Sequence, residues 1–251
     1  GSSEIAMRRV NLIPMAGQGQ RFIDAGYKVP KPLIEIDGLP MVLQAAKSLP
    51  EADKWIFICR KKHITEACID KILKEYFPEA VVLSVDHLTE GQTSTCLLAR
   101  DHLKPDDQLT IGACDNKMDF DEDRYKTLIK KHDSLIWTFR NNSAVLQNPK
   151  MYGWVKIDYS GIAEKVSCKM PISDKPLNDH AIVGAFSFKK AEYFYKCADK
   201  MIQKNRRINN EFYNDVVMDE CILSGYKVMP FEVDDYICWG TPKDLESYHK
   251  L

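Results

Sequence analysis

Short apolar runs alternate with amphipathic runs along the first half of the chain. Two segments, 64–77 and 93–103, carry apolar residues at helical spacing. The runs between and around them predict buried strands: VNLIPM (10–15), WIFIC (55–59), AVVLSV (80–85), QLTIGAC (108–114) and LIWTF (135–139). Strands that alternate with helices are typical of βαβ crossovers. We therefore expect an α/β fold whose mostly parallel sheet has helices on both faces.

The pattern changes after residue 150. The strand-like runs GWVKID, IAEKVSC and HAIVGAFSF follow one another without a long helix, which predicts a small antiparallel section. Helices are predicted at 189–204 and 210–224, and a last helix begins at Pro242 after the N-cap Thr241. No linker or repeat divides the chain, so we expect a lead-in with a tag remnant at 1–8 and one domain at 9–251.

Composition and charge exclude several classes of protein. Hydrophobic residues make up 45% and charged residues 28% of the 251, with a formal net charge of −1. This balance favours neither nucleic acid nor an anionic membrane as a partner. No apolar run approaches the length of a membrane span and no charged n-region precedes an apolar h-region at the start, so we expect neither a membrane span nor a secretory signal. The eight cysteines form no C-x-x-C pair, and most lie in apolar runs, so we expect reduced thiols and a cytoplasmic protein.

The loop GQGQRF (17–22) follows the first predicted strand. It is not the dinucleotide-binding fingerprint, because Phe22 stands where the third glycine is required, and no Walker-type P-loop is present. Glycines let backbone N–H groups converge on an anion, and Arg21 and Lys31 add a guanidinium fork and a mobile charge. The loop thus predicts phosphate binding. The alternative is a solvated surface loop.

IPMAGQGQRF followed by VPKPLIEIDGLPMV resembles the signature A-G-x-G-x-R-[FM] … K-P-L of the sugar-phosphate nucleotidyltransferase family. The resemblance covers about residues 9–250 and implies the Rossmann-like fold of nucleotide-diphospho-sugar transferases. It also implies that Arg21 and Lys31 are catalytic contacts of the nucleotide phosphates. The loop residues implied to wrap the nucleoside triphosphate are Ala16, Gly17, Gly19 and Gln20.

LTEGQTSTCLLA (88–99) resembles the family segment that meets the base and ribose, which adds Gly91, Gln92 and Thr93 to the nucleotide site. The alternative is a glycine turn followed by a threonine N-cap. With this segment, the resemblance makes 9–118 the nucleotide-binding half of the domain and 119–251 the acceptor-binding half.

Asp115 follows the buried run LTIGAC and should lie at the carboxyl end of a strand, where ligands bind in open α/β sheets. The family's Mg²⁺-binding Asp occupies the matching position, and a carboxylate there can hold Mg²⁺ between phosphates. An ordinary turn Asp is the alternative. Many family members have a second metal-binding Asp where this chain has Cys238. Either Asp235 replaces it or Asp115 acts with phosphate oxygens alone.

YGWVKIDYSGIAEKVSCKMP (152–171) resembles the family element that ends in E-K-P, whose Lys meets the acceptor phosphate. That Lys falls on Lys169, with Lys165 and Lys175 as competitors, because Cys168 replaces the Glu and Met170 intervenes before the Pro. The runs AIVGAFSFKKAEYF and NNEFYNDVV resemble the acceptor-site strand and helix. They add three acceptor-pocket residues: Gly184, Asn210 and Glu211.

The resemblance implies nucleotidyl transfer from an NTP, with CTP or UTP favoured, to a sugar 1-phosphate or similar small phosphorylated acceptor. Pyrophosphate is released, and the product would serve surface polysaccharide synthesis. One alternative is a glycosyltransferase of related fold, although Asp115-Asn116-Lys117 lacks the second Asp of the usual D-x-D. The other is a nucleotide-binding regulatory protein with impaired catalysis. The sequence does not set the oligomeric state.

Overall fold

A nine-stranded sheet joins the two halves of the chain. The computed structural model describes residues 7–251, so residues 1–6 of the expected lead-in lie outside the described residues. The strands are β1 (Arg9–Met15), β2 (Glu35–Ile36), β3 (Leu39–Pro40), β4 (Lys54–Arg60), β5 (Val81–Val85), β6 (Gln108–Ile111), β7 (Asn116–Asp119), β8 (Ser134–Phe139), β9 (Gly153–Ile157), β10 (Ala163–Cys168), β11 (His180–Phe188), β12 (Val228–Glu232) and β13 (Asp235–Cys238). The helices are α1 (Gln20–Asp24), α2 (Met41–Lys47), α3 (Lys61–Ala67), α4 (Ile69–Tyr76), α5 (Gln92–Leu97), α6 (Glu122–Lys131), α7 (Ala191–Gln203), α8 (Asn214–Leu223) and α9 (Pro242–His249).

The strand order of the sheet is β10-β9-β11-β6-β1-β4-β5, and β8 pairs with both β11 and β12. Strands β6, β1, β4 and β5 are parallel, whereas β11 is antiparallel to β6, β8 and β9. The carboxyl ends of β1, β4 and β6 therefore share one edge of the sheet. The mixed α/β architecture and its antiparallel section in the second half confirm the predicted fold.

Two apolar layers cover the sheet. All six residues of β8 are buried, which explains its continuous hydrophobic run. One layer packs β-strand side chains against Phe194 and Met201 of α7 and Val217 of α8. The other packs Val42 of α2 and Leu73 of α4 against the opposite face. Each such side chain contributes about 1.5–3 kcal/mol through burial, so the helices that flank the site are firmly anchored.

The segment expected to be one helix at 64–77 is two helices. Cys68 ends α3 and precedes α4, and its φ of 54° lies in the left-handed region. That conformation interrupts the helix while apolar spacing continues on both sides, so the periodicity hid the break. The helix predicted at 93–103 likewise ends at Leu97 and is followed by a 3₁₀ turn, Arg100–His102.

A short antiparallel ribbon, β7 with β13, lies beside the sheet and was not expected from the sequence. It places Cys238 opposite Asn116, and the Trp239 N–H donates to the Asp115 carbonyl at 2.7 Å. A small third core joins the glycine-loop region to α9 through Phe22, Trp239 and Leu245. The ribbon and this core bring the last segment of the chain to the end of β6. No helix within residues 7–251 has the length and apolar character needed to cross a bilayer.

Candidate active site

Three adjoining cavities open at the sheet edge where β1 and β6 end. The first, of about 200 Å³, lies under the glycine loop and contacts Lys31 and Asp115. The second, of about 310 Å³, is bounded by the loop and the segment around Gly91. The third, of about 760 Å³, extends toward β9 and α8. Gln92 and Ala113 line all three, so the cavities form one continuous site.

The glycine loop is held close to the turn that carries Lys31. Gly19 has a φ of 63°, and a Cβ there would lie 3.1 Å from the Lys31 Cβ. Gly17 lines the first two cavities and Ala16 lines the second, as expected for a loop around a nucleotide. Gln20 differs from the expectation: it is exposed, lines none of the three cavities, and its amide donates to Asp24 at 2.7 Å. Gln20 is the first residue of α1, and its side chain lies along the helix surface toward Asp24.

Lys31 and Asp115 meet although they are far apart in the chain. The Lys31 Nζ lies 2.8 Å from Asp115 Oδ2 and 5.6 Å from the centroid of the buried Phe22 ring. Burial acts to lower the pKa of Lys31, but the charge and hydrogen bond of Asp115 outweigh it, so this pKa is raised. The ammonium thus favours its charged form in the first cavity, beside Asp115, which lines both the first and the third cavity.

Arg21 reaches the third cavity from α1. Its side chain is exposed, lines the 760 Å³ cavity and forms no ion pair with any residue in the described range 7–251. The guanidinium therefore keeps its donors available for an anion. Arg21 and Lys31 together give the site two cations, one in the third cavity and one in the first.

The segment after β5 forms one wall of the second cavity. Gly91 has a φ of 120°, and a Cβ there would lie 2.6 Å from the Phe212 carbonyl oxygen, so only glycine fits. Gln92 lines the cavity, and its Oε1 accepts the Asn214 N–H at 3.2 Å. Thr93 is fully buried and does not line it. Its hydroxyl donates to Asn214 Oδ1 at 2.8 Å, which makes Thr93 a link between α5 and α8.

The expected acceptor residues do not all face one cavity, and Gly184 lines both the second and the third. Lys169 and Gly184 line the 760 Å³ cavity, and the Lys169 Nζ lies 5.3 Å from the Tyr213 ring centroid. Glu211 lines the second cavity instead, where its carboxylate accepts the Tyr213 hydroxyl at 2.9 Å. Asn210 reaches neither: it is exposed in a turn with a φ of 65°. The competitors of Lys169, namely Lys165 and Lys175, line none of the three cavities.

Asp115 faces the last segment of the chain. A Cβ on Gly240 would lie 3.3 Å from both Asp115 Oδ2 and Cys238 Sγ and 3.9 Å from Asp244 Oδ2. The Cys238 thiol donates to Asp244 at 3.6 Å, and burial, followed by the charge of Asp115, raises the pKa of this thiol to about 12. Asp235 is exposed and lies opposite Asp119, about 10 Å along the ribbon from Cys238. The structure therefore does not bring Asp235 to Asp115, and Asp244 stands there instead.

These side chains suit a hard cation better than a soft one. Mg²⁺ takes one or two carboxylates and completes its octahedron with water and phosphate oxygens. Asp115 and Asp244 offer two carboxylates, whereas a protonated thiol is a poor ligand for this ion. Among the described residues, no three His, Cys, Asp or Glu side chains form a group that could hold a metal by themselves. The donor set fits Mg²⁺ only if a substrate contributes oxygens.

Several cavity residues were not predicted. Asn116 donates its amide to the Val183 carbonyl at 3.0 Å, and Tyr152 faces the 760 Å³ cavity. Asp215 lines the same cavity, and burial raises the pKa of its carboxyl to about 6. An acidic residue in the first turn of a helix is ordinary helix chemistry, so the sequence held no signal for Asp215. Asp244 was hidden for the same reason in α9.

A separate depression of about 600 Å³ lies at the other end of β6, where Leu103 and Pro105 precede the strand. Arg100 and residues of α7 line it, and it contains none of the predicted site residues. In parallel α/β sheets ligands bind at the carboxyl ends of strands. The three joined cavities are therefore the candidate active site.

Solved structures of known proteins share this fold. A nucleoside-diphosphate-sugar pyrophosphorylase from Vibrio cholerae RC9 is 19% identical, with a TM-score of 0.78 over 96% of this chain and 100% of that one. The inositol-1-phosphate CTP transferase from T. maritima is 14% identical, with a TM-score of 0.75 over 97% and 94%. A UDP-glucose pyrophosphorylase complexed with UDP-glucose is 14% identical, with a TM-score of 0.72 over 97% and 99%.

The family follows from the sequence as a whole. The model of the family described as nucleotidyl transferase matches residues 10–236, which include the glycine loop, both catalytic candidates and the acceptor lysine. This match confirms the family indicated by the signature around Arg21 and Lys31. The chain belongs to the nucleotidyl transferase family and is a nucleotidyltransferase enzyme.

Proposed function

We propose that the protein joins the nucleotidyl group of CTP or UTP to a small phosphorylated acceptor, a sugar 1-phosphate or a similar compound, and releases pyrophosphate. The observation that carries this proposal is the continuity of the three cavities around the Lys31–Asp115 pair. A triphosphate under the glycine loop and an acceptor in the 760 Å³ cavity would meet at that pair. The preference for cytosine or uracil is supported by the CTP and UDP-glucose named for two structural neighbours.

In this reaction a phosphate oxygen of the acceptor attacks the α-phosphorus, and the bond from that phosphorus to the bridging oxygen of the leaving pyrophosphate breaks. The acceptor is already an anion, so no general base is required. The enzyme must instead hold two polyanions together. Arg21 and Lys31 balance the charge of the triphosphate and Lys169 that of the acceptor phosphate. Catalysis is then positioning and electrostatic stabilisation.

We further infer that Mg²⁺ is the cofactor and that Asp115 and Asp244 are its protein ligands. The support is the proximity of both carboxylates to Gly240 and the preference of Mg²⁺ for carboxylate and phosphate oxygens. When bound, the ion would supply positive charge at the phosphates. Cys238 would line the metal site as a neutral thiol.

The proposed division of labour follows the two halves of the chain. Residues 9–118 would bind the nucleotide and 119–251 the acceptor, within one domain at 9–251. Glu211 and Gly184 depart from this division, because both line the second cavity together with Gly91. Free thiols and a nucleotide substrate fit a cytoplasmic enzyme. Its product would supply activated precursors for surface polysaccharide, a role supported by the resemblance of its motifs alone.

A thermal-shift screen with CTP, UTP, dTTP, GTP and ATP, each with Mg²⁺, tests the proposal. A nucleotide at about 100 times its Kd adds about 2.7 kcal/mol of stability, which corresponds to a Tm rise of roughly 5–10 °C for a chain of this length. We expect CTP or UTP to give the largest rise and pyrophosphate to appear when an acceptor is added. The absence of any shift would refute the nucleotide site, and free nucleoside diphosphate as product would indicate sugar transfer instead.

A further inference from the structure

Asp215 forms part of the inner wall of the 760 Å³ cavity. It is the second residue of α8, and its carboxylate lies against the backbone of β9. A Cβ on Gly153 would be only 2.2 Å from Asp215 Oδ2, so the glycine makes the space that the carboxylate occupies. The position of this charge is therefore fixed by two elements of the core.

Asp215 has few partners for its charge. Burial raises its pKa to about 6, against a hydrogen bond from its own backbone N–H, the charge of Lys169 and a hydrogen bond from the Cys168 thiol, which all favour the ionised form. Within residues 7–251 no arginine or hydroxyl group donates a hydrogen bond to this carboxylate. Asp215 is half-buried and lines the cavity, so its carboxylate retains acceptor capacity on the side that faces the cavity.

The charges around the 760 Å³ cavity indicate what kind of group the Asp215 carboxylate would bind. Three cations, Arg21, Lys169 and Lys243, face three carboxylates, Asp115, Asp215 and Asp244. In the proposed reaction Lys169 turns to the acceptor phosphate, and Asp215 then loses its nearest cation beside a new dianion. A sugar hydroxyl would give Asp215 one hydrogen bond but no charge. An ammonium group on the acceptor would give it both.

We propose that the acceptor is a small phosphorylated amine, whose phosphate binds Lys169 and whose ammonium group binds Asp215. This inference rests on the proposed nucleotidyl transfer and names the class of acceptor for that site. The neighbouring rings support it, because Tyr152 and Tyr213 line the same cavity and aromatic faces attract cations. The Tyr213 ring already has a cation, the Lys169 Nζ, 5.3 Å from its centroid.

Matched pairs of acceptors test the proposal by calorimetric titration of the full chain. Each pair differs in an amine against a hydroxyl: 2-aminoethyl phosphate against 2-hydroxyethyl phosphate, O-phosphoserine against 3-phosphoglycerate, and glucosamine 1-phosphate against glucose 1-phosphate. The protein is first saturated with Mg²⁺ and the non-reactive α,β-methylene analogue of the nucleotide found in the thermal screen. We expect the amine of at least one pair to bind at least about tenfold more tightly than its hydroxyl twin, as a charge-assisted hydrogen bond implies.

Asp215→Asn should abolish this preference, because it keeps the shape of the side chain and removes its charge. Asp101→Asn, at an exposed site on the 3₁₀ turn Arg100–His102, should leave the preference unchanged. If the nucleotide binds but the hydroxyl twins bind as well as the amines, or no amine binds, the proposal is overturned and the proposed function is not. A preference for amines that survives in Asp215→Asn would also overturn it. Failure of the nucleotide itself to bind would refute the proposed function and this inference together.

Discussion

Lys31 combines a fixed position with a permanent charge. It lies on a 3₁₀ turn, Lys31–Leu33, whose Pro32 is buried, and its ammonium is shared between Asp115 and the face of the Phe22 ring. A preorganised charge of this kind needs little reorganisation when negative charge develops on a leaving group. The residue is therefore the best single test of the catalytic site.

We expect Lys31→Ala to lower kcat/KM for pyrophosphate release at least about 100-fold, because loss of one preorganised donor typically has that effect. Lys74→Ala, at an exposed position of α4, is the matched control and should be neutral. Steady-state kinetics with the preferred nucleotide measure both. Turnover close to that of the unmodified enzyme in Lys31→Ala would show that the ammonium is not part of the phosphate site.

Cys238 is a second informative residue. Its neutral thiol separates Asp244 from Asp115, where the resemblance implies a carboxylate. In Cys238→Asp three carboxylates would crowd around Gly240 and repel one another until a divalent cation neutralises them. We expect this variant to have a lower Tm than the original chain without Mg²⁺ and to gain more from added Mg²⁺.

The control for Cys238→Asp is Cys68→Asp, at an exposed cysteine whose left-handed backbone an Asp tolerates. Thermal melts over a Mg²⁺ titration compare the two variants. Equal responses to Mg²⁺ in both would argue against a metal site at Asp115.

At the scale of elements, the wall of the second cavity depends on how closely two segments approach. The backbone at Gly91 passes so near Phe212 that a Cβ would lie 2.6 Å from its carbonyl oxygen and 2.9 Å from its nitrogen. The Phe212 N–H in turn donates to the Glu90 carbonyl at 2.8 Å. These contacts hold the start of α5 against the segment that leads into α8.

Gly91→Ala should therefore both destabilise the fold and weaken nucleotide binding. Gly26→Ala is the matched control: Gly26 also has a positive φ, 90°, but nothing lies within 4 Å of the position of its Cβ. Both variants place a Cβ on a backbone of positive φ, but only Gly91→Ala also drives that Cβ into a neighbouring backbone. We expect Gly91→Ala to unfold at lower urea and to show the smaller thermal shift with nucleotide. Equal urea unfolding and equal thermal shifts in the two variants would show that neither stability nor nucleotide binding depends on the close approach of Gly91 to Phe212.

The strongly periodic elements were predictable and the short ones were not. Buried runs such as β1, β4 and β8 and the amphipathic helix α7 lie within a few residues of their predicted bounds. The ribbon of β7 and β13 has four residues a strand, too few for a period to be recognised, and its pairing is set by the tertiary fold. The break at Cys68 arises from one left-handed residue that composition does not mark.

The same distinction holds for the site. The residues that we propose bind phosphates, such as Gly17, Gly19, Arg21 and Lys31, belong to one local motif, so their spacing could be recognised in the sequence. Asp215 and Asp244 reach the cavities only because α8 and α9 pack where they do. Gln20 and Asn210 belong to matching motifs, yet their side chains lie on the surface.

At the scale of the whole molecule, a buried polar contact joins the two halves of the chain. Thr93 and Asn214 are both buried, and the Asn214 N–H also donates to Gln92. Thr93 and Asn214 are far apart in the sequence, and their hydrogen bond is shielded from solvent. The wall of the second cavity around Gln92 and the first turn of α8 are thereby fixed to each other.

We expect Asn214→Ala to lower the free energy of unfolding by about 1–3 kcal/mol, because it leaves the Thr93 hydroxyl buried without its acceptor. Thr93→Val removes that hydroxyl, so the double variant should lose less than the sum of the single variants. Urea unfolding of the four proteins in the cycle measures the coupling. Strict additivity would show that the two side chains contribute independently.

The approach of Asp215 to Gly153 also constrains how this enzyme can diverge. Because a side chain at position 153 would occupy the place of the Asp215 carboxylate, the two positions cannot drift independently. In a library randomised at both sites and selected for folding, clones that keep Asp215 should retain glycine at 153. Clones with a larger residue at 153 should carry a small residue at 215. The residues at positions 153 and 215 would then indicate together which acceptor such an enzyme uses, although the two positions are far apart in the chain.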